Sequence, residues 1–218
     1  MSKVHHVWST PKAEEMIVKM ARVSAPQNQD NMKTAPKLLN YLIKHKHWSP
    51  FEMSAMTVEI HTTRGIAPQI LRHRSFTFQE FSQRYANTNK IGRIEVPWLR
   101  AQDYKNRQNS TDDLAQKVGD SRLADLYRKM ATHFAEAENL YQEMVDLGVA
   151  KESARFVLPL ASPTKLYMQG TLRSWIHYIQ LRTEVGTQFE HREVATAIRD
   201  VFCKEFPIIS AALGWEKL

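Results

Sequence analysis

The chain has 218 residues, 43% of them hydrophobic and 24% charged, which is ordinary globular composition and excludes disorder over long spans. A chain of this length buries a substantial core unaided, so a single domain over residues 1–218 is the expectation. The one cysteine, Cys203, excludes an internal disulfide, and a net charge of +7 favours anionic ligands without choosing among nucleotides, nucleic acid and polyglutamates.

Residues 4–8 read as an opening strand. Thr10 and Pro11, followed by Glu14 and Glu15, read as a helix start with a hydroxyl cap, proline in the first turn and acids at the positive end of the dipole. The polar stretch 26–30 is a loop. From Thr34, the spacing of Leu38, Leu39, Leu42 and Ile43 predicts an amphipathic helix ending among Lys44, His45, Lys46 and His47. His45 and His47 form an H-x-H pair, but with no cysteine nearby and no carboxylate at ligand spacing, no metal site is expected. Residues 56–62 alternate apolar and polar, a half-buried strand, and Gly65 and Pro68 lead into a short helix.

Residues 69–85, QILRHRSFTFQEFSQRY, are the densest polar stretch. Arg72, His73, Arg74 and Arg84 stand among Leu71, Phe76, Phe78, Phe81 and Tyr85, so this is no solvated charge run. Arginine forks match phosphate oxygens two at a time, and a histidine between two arginines is expected to stay neutral. Beyond it, residues 91–98 read as a further strand and 100–120 as a mobile polar loop.

Residues 121–147 predict the longest helix, with Leu123, Leu126, Tyr127, Met130, Phe134, Ala137, Leu140, Tyr141 and Met144 facing the core and Gly148 closing it. A short helix at 151–156, a strand at 165–171 and helices at 172–184, 188–206 and 208–213 complete the chain. On the helix at 172–184, Arg173, His177, Gln180 and Glu184 share one polar stripe, which by itself reads as a solvent-facing surface. Strands separated by helices, with no G-x-G-x-x-G, predict an α+β fold with a small mixed or antiparallel sheet and packed helices, not a dinucleotide-binding doubly wound sheet. No apolar run reaches about 18 residues and the first residues lack an apolar signal segment, so a cytoplasmic protein away from membranes is expected.

The pattern R-H-R, seven residues, Ser, then Q-R-Y resembles the signature of the flavin-dependent thymidylate synthases. A-R-V-S at 21–24, H-W-S-P-F-E at 47–52, A-R-F-V-L-P at 154–159 and L-R-S-W-I-H-Y-I-Q-L-R at 172–182 extend that resemblance in the family's order. The resemblance implies methylation of dUMP to dTMP with methylenetetrahydrofolate as carbon donor, FAD as hydride carrier and NADPH as reductant. It also implies a homotetramer with active sites where subunits meet.

By the same resemblance Arg182 is the catalytic residue, promoting ionisation at N3 of the uracil ring. Gln69, Ile70, Leu71, Arg72, Glu80, Phe81, Ser82, Gln83, Arg84, Arg155 and Arg182 match positions that hold the nucleotide. Ser24, Ser49, Arg72, His73, Arg74, Glu80, Thr171, Leu172, Arg173 and His177 match flavin-contacting positions. Met53, Thr171 and Gly186 stand where the family often has histidine, asparagine and histidine. Cys203, in an apolar helical setting, reads as a buried thiol, not a nucleophile. The competing reading is a basic nucleic-acid-binding domain that uses arginines and aromatics for phosphate and base contacts.

Overall fold

A computed structural model describes residues 3–215. In chain order the elements are β1 (Lys3–Ser9), α1 (Ala13–Ala21), α2 (Ala35–Lys44), β2 (Ala55–Thr63), α3 (Ala67–Ile70), β3 (Thr77–Glu80), β4 (Ala101–Gln102), β5 (Ser110–Thr111), α4 (Leu114–Val118), α5 (Asp120–Asp146), α6 (Lys151–Ala154), β6 (Pro163–Thr171), α7 (Leu172–Arg182), α8 (Phe189–Glu205) and α9 (Pro207–Ala212). The fold is α+β. Its main sheet has the order β1-β2-β6-β3, and every pairing in it is antiparallel.

The alternation in β2 puts Met56, Val58 and Ile60 on the buried face, where Leu166 and Met168 of β6 join them. Helices cover this face. Trp175, Ile176 and Ile179 of α7, Ile198 and Phe202 of α8, Leu39 of α2 and Ile17 of α1 are all fully buried. Each such side chain contributes about 1.5–3 kcal/mol of transfer free energy, which makes this cluster the main reason the sheet holds its shape. The opposite face carries Glu59, which takes hydrogen bonds from the Tyr167 hydroxyl at 2.5 Å and the His61 ring at 2.6 Å.

Several expectations are corrected. Thr10 does not cap α1; its hydroxyl accepts from the Ala55 amide at 3.0 Å, joining the end of β1 to the start of β2. Glu14 does more than favour its own helix, because its carboxylate accepts from the Ile209 amide at 2.7 Å and so caps α9. Residues 91–98 form no strand. Side chains of α5 hold this stretch and the residue after it: Glu138 accepts from Ile94 N–H at 2.9 Å and the Tyr127 hydroxyl from Leu99 N–H at 3.0 Å. The expected loop at 100–120 holds the β4–β5 hairpin and α4, and Arg100 within it pairs with Glu190 at 2.7 Å and lies over the Phe189 ring at 4.6 Å.

In α5 only Phe134, Ala137 and Tyr141 of the expected stripe are buried, while Leu126 and Leu140 stay exposed. Its end is as the sequence indicates: Gly148 takes φ 85°, and Val149 N–H returns to Met144 O at 2.9 Å.

Candidate active site

The 69–85 stretch crosses three kinds of local structure. Gln69 lies in α3, residues 71–76 turn, and β3 then pairs with the edge of β6 from Thr77 opposite Gln169 to Glu80 opposite Leu166. The turn is fixed by Phe76, which is buried, sits edge-on to Trp175 with centroids 4.7 Å apart, and lies where a Cβ on Gly170 would fall 2.5 Å from its ring. Glycine at 170 thus lets the aromatic approach the sheet. Ser174 Oγ donates to Ser75 O at 3.4 Å, so the turn runs along α7.

At the C-terminal end of α7, Arg182 Nε donates to His73 Nε2 at 2.9 Å. The nitrogen that accepts from a guanidinium carries no proton, so His73 is neutral with its proton on Nδ1. Burial first, and the Arg182 charge second, push its pKa down to about 4. Neutrality was expected, but from Arg72 and Arg74; those two residues flank His73, exposed, and among the described residues neither takes an ion-pair partner. Behind His73 stand Tyr178, 4.7 Å away edge-on, and the fully buried His191. Gln69 joins the group, 3.3 Å from His191 Nδ1. Ile70 is buried in the core and Leu71 is partly exposed.

A second group surrounds the N-terminal end of α7, roughly 14 Å along the helix axis from Arg182. Thr171 caps the helix, its hydroxyl accepting from Ser174 N–H at 3.3 Å. Arg173 pairs with Glu52 of the turn Ser49–Met53, and the exposed His177 meets the Trp48 ring edge-on at 4.8 Å. Partial desolvation of its ring, then the Arg173 charge, lowers the His177 pKa. Ser49 is exposed at the start of that turn, and the Leu172 side chain is in the core, leaving only its backbone to meet a ligand. Ser24 is exposed beyond α1, in a loop held by the buried Arg22, whose guanidinium donates to Asn28 O, Asn31 O and Thr34 Oγ.

A third group lies past β3. Glu80 accepts from Arg64 and, at 2.9 Å, from the Thr164 hydroxyl. Phe81 N–H donates to Lys165 O at 2.8 Å, and the Ser82 carbonyl accepts from Tyr85 and Ala86. Gln83 is buried with its Nε2 donor unpartnered. Arg84 makes a surface pair with Glu152 at 3.1 Å, and Arg155 lies over the exposed Phe156 ring at 5.7 Å.

One chain therefore brings Gln69, His73 and Arg182 together and leaves the other expected residues on neighbouring ledges. Tyr178, His191, Gln188, Arg64 and Thr164 are partners that the sequence reading missed; histidine and tyrosine on apolar helix faces carry no local signal of what they touch. Cys203 lies half-buried on α8, its thiol donating to Trp215 O at 3.4 Å, twelve residues and thus roughly 18 Å along the axis from His191. A cavity of about 410 Å³ beside Arg100, Gln188, Phe189 and Arg192 contains none of the expected residues. His45 and His47 pack with Tyr41, and no group of three metal-ligating side chains occurs among the described residues. Among them, too, no helix is long and apolar enough to cross a membrane.

A family model described as thymidylate synthase complementing protein matches residues 6–208. A probable flavin-dependent thymidylate synthase of Paramecium bursaria Chlorella virus 1 is 52% identical over 206 residues, covering 93% of this chain and 91% of that protein. A flavin-dependent thymidylate synthase of Synechocystis sp. is 50% identical over 202 residues, covering 93% and 90%. Among solved structures, a UMP/dUMP methylase, PolB, of Streptomyces cacaoi bound with 5-Br dUMP superposes with a TM-score of 0.79 at 27% identity, over 98% of this chain and 95% of that one.

Proposed function

The chain belongs to the family of flavin-dependent thymidylate synthases, and on that footing we propose how its residues divide the work of the reaction. The activity is reductive methylation of dUMP to dTMP, with methylenetetrahydrofolate as carbon donor and NADPH as reductant. FAD, when bound, supplies the hydride. The oligonucleotide-binding alternative finds no support among the relatives.

C5 of the uracil ring is a poor nucleophile until electron density is pushed onto the ring. Thiol addition at C6 is one route, but Cys203 lies far along α8 and is bonded to a backbone carbonyl. Polarisation is the other route, and Arg182 is the residue we assign to it. A fixed cation beside N3 favours the ring anion, and because Nε is held by His73, the two terminal nitrogens remain to meet the substrate. A neutral His73 is essential to this arrangement, since a protonated ring could neither accept from Arg182 nor sit beside it without repulsion. This hydrogen bond is the observation that carries the proposal.

For the nucleotide we assign Gln69, Arg72, Glu80, Arg84, Arg155 and the stretch 81–83, with Ile70 and Leu71 contributing shape and backbone. The unpartnered Gln83 donor supports a polar ligand there. Ser82 acts as a hydrogen-bonding group, since among the described residues no base is hydrogen-bonded to its hydroxyl. For FAD we assign Ser24, Ser49, Arg72, His73, Arg74, Glu80, Thr171, Leu172 through its backbone, Arg173 and His177. Exposed cations and hydroxyls suit a diphosphate and ring acceptors, so these residues fit the cofactor.

We further propose a cytoplasmic homotetramer with sites completed between copies. The exposed Phe156, Leu160, Val185 and Leu147, all at least 75% exposed, together with a long helix that buries few of its apolar residues, support such an assembly. Purified protein is expected to be yellow, to sediment as a tetramer, and to release tritium from C5-labelled dUMP when given folate and NADPH. Colourless protein that takes up no added FAD contradicts the cofactor assignment.

A further inference from the structure

His191 is fully buried, belongs to none of the matched motifs, and is bonded through both ring nitrogens. Its partners form a chain whose direction is fixed from one end. Glu190 is a carboxylate and can only accept: from Arg100 at 2.7 Å and from Gln188 Nε2 at 2.9 Å. Gln188 must therefore turn its amide oxygen the other way, where it accepts from Gln69 Nε2 at 2.6 Å. That turns the Gln69 oxygen toward His191, so Nδ1 of His191 is the donor, across 3.3 Å. Nε2 is then bare and accepts from the Tyr178 hydroxyl at 2.9 Å. Each assignment forces the next, from a largely buried ion pair to the middle of α7.

We propose that His191 is a positioning residue for the nucleotide: held by Tyr178, it locks the Gln69 amide with its oxygen inward and its NH₂ outward. One of the two Gln69 N–H bonds reaches Gln188; the other is left to an acceptor oxygen of the nucleotide. Without His191 the Gln69 oxygen loses its donor and the amide is held by the Gln188 bond alone, so its second N–H is no longer held toward an acceptor on the substrate. The inference rests on the assignment of Gln69 to the nucleotide. Burial, then the charge of Arg182, keeps the ring neutral, with a pKa near 3, in accord with a single donor and a single acceptor. A histidine that merely filled the core would stabilise the fold without regard to Gln69.

The test is a double-mutant cycle on the FAD-loaded enzyme, with the dUMP dissociation constant read from the flavin absorbance change and FAD affinity measured in parallel. His191→Phe is expected to weaken dUMP about tenfold, the scale of one buried hydrogen bond, with FAD affinity held within about twofold. In a Gln69→Ala background the same substitution is expected to cost nothing more. Losses that multiply, or dUMP and FAD affinity falling together, overturn the proposal while leaving Gln69 its role. A Gln69→Ala enzyme with unchanged dUMP affinity overturns the assignment of Gln69 and the proposal with it. Should His191→Phe fail to fold, Tyr178→Phe decides by the same criterion, with about threefold weakening expected in the parent and none in Gln69→Ala; no weakening in the parent overturns the proposal.

Discussion

Arg182 and His73 are 109 positions apart in sequence, and their hydrogen bond explains how a guanidinium can be aimed without an acid beside it. A carboxylate partner would cancel the charge that the proposed role of Arg182 requires; a neutral imidazole orients the cation and leaves its charge whole. Glu80 shows the opposite arrangement, a carboxylate held in place by Arg64 and Thr164. Arg64→Ala is expected to raise KM for dUMP several-fold while kcat changes less, because it loosens a binding group and leaves Arg182 untouched; steady-state kinetics with varied dUMP check this. At this scale the sequence names candidate residues and is silent about their partners. R-H-R announces anion binding, but whether its histidine looks to Arg72, Arg74 or Arg182 depends on how α7 crosses the turn.

The turn at 71–76 is held by packing as well as by hydrogen bonds: Phe76 is wedged between Trp175 and the bare backbone of Gly170, and the His73 and Phe76 amides donate to Ile70 O and His73 O, each at 3.1 Å. Gly170→Ala forces a Cβ into that ring, and the neighbour is a buried aromatic with little room to yield. We expect about 1–3 kcal/mol of destabilisation, measured by urea unfolding, together with weakened flavin and dUMP binding as the turn is displaced. Elements with strong periodicity were legible: β2 from its alternation and the end of α5 from Gly148. Those whose form depends on distant partners were not. Residues 91–98 look like a strand, yet Ile94 finds Glu138 and the following Leu99 finds Tyr127 in place of a strand edge, and β3 was hidden because its four residues hold a single aromatic, Phe78, among Thr77, Gln79 and Glu80. The apolar spacing of α5 predicts a core-facing stripe, but the chain covers only part of it, leaving Leu126 and Leu140 exposed.

For the whole molecule, His73 and His191 tie the site to acid stability. Both pKa values lie below the ordinary histidine value of 6.5, at about 4 and about 3. The unfolded chain therefore takes up protons that the folded chain refuses, so their contribution is complete above pH about 6.5 and is lost as the pH falls toward 4 and 3. The slope is at most about 1.4 kcal/mol per pH unit for each ring. Denaturant midpoints of the holoenzyme are expected to fall between pH 7 and 5, and less steeply in His191→Phe. Arg182, Tyr178, Gln69 and the two rings themselves are the polar groups that share this enclosure. One assay brings these scales together: tritium release from C5-labelled dUMP by FAD-loaded Arg182→Ala, beside the parent enzyme, at saturating folate and NADPH. The account predicts a protein that stays yellow and loses at least about 100-fold in rate; a yellow variant working within about threefold of the parent would contradict it.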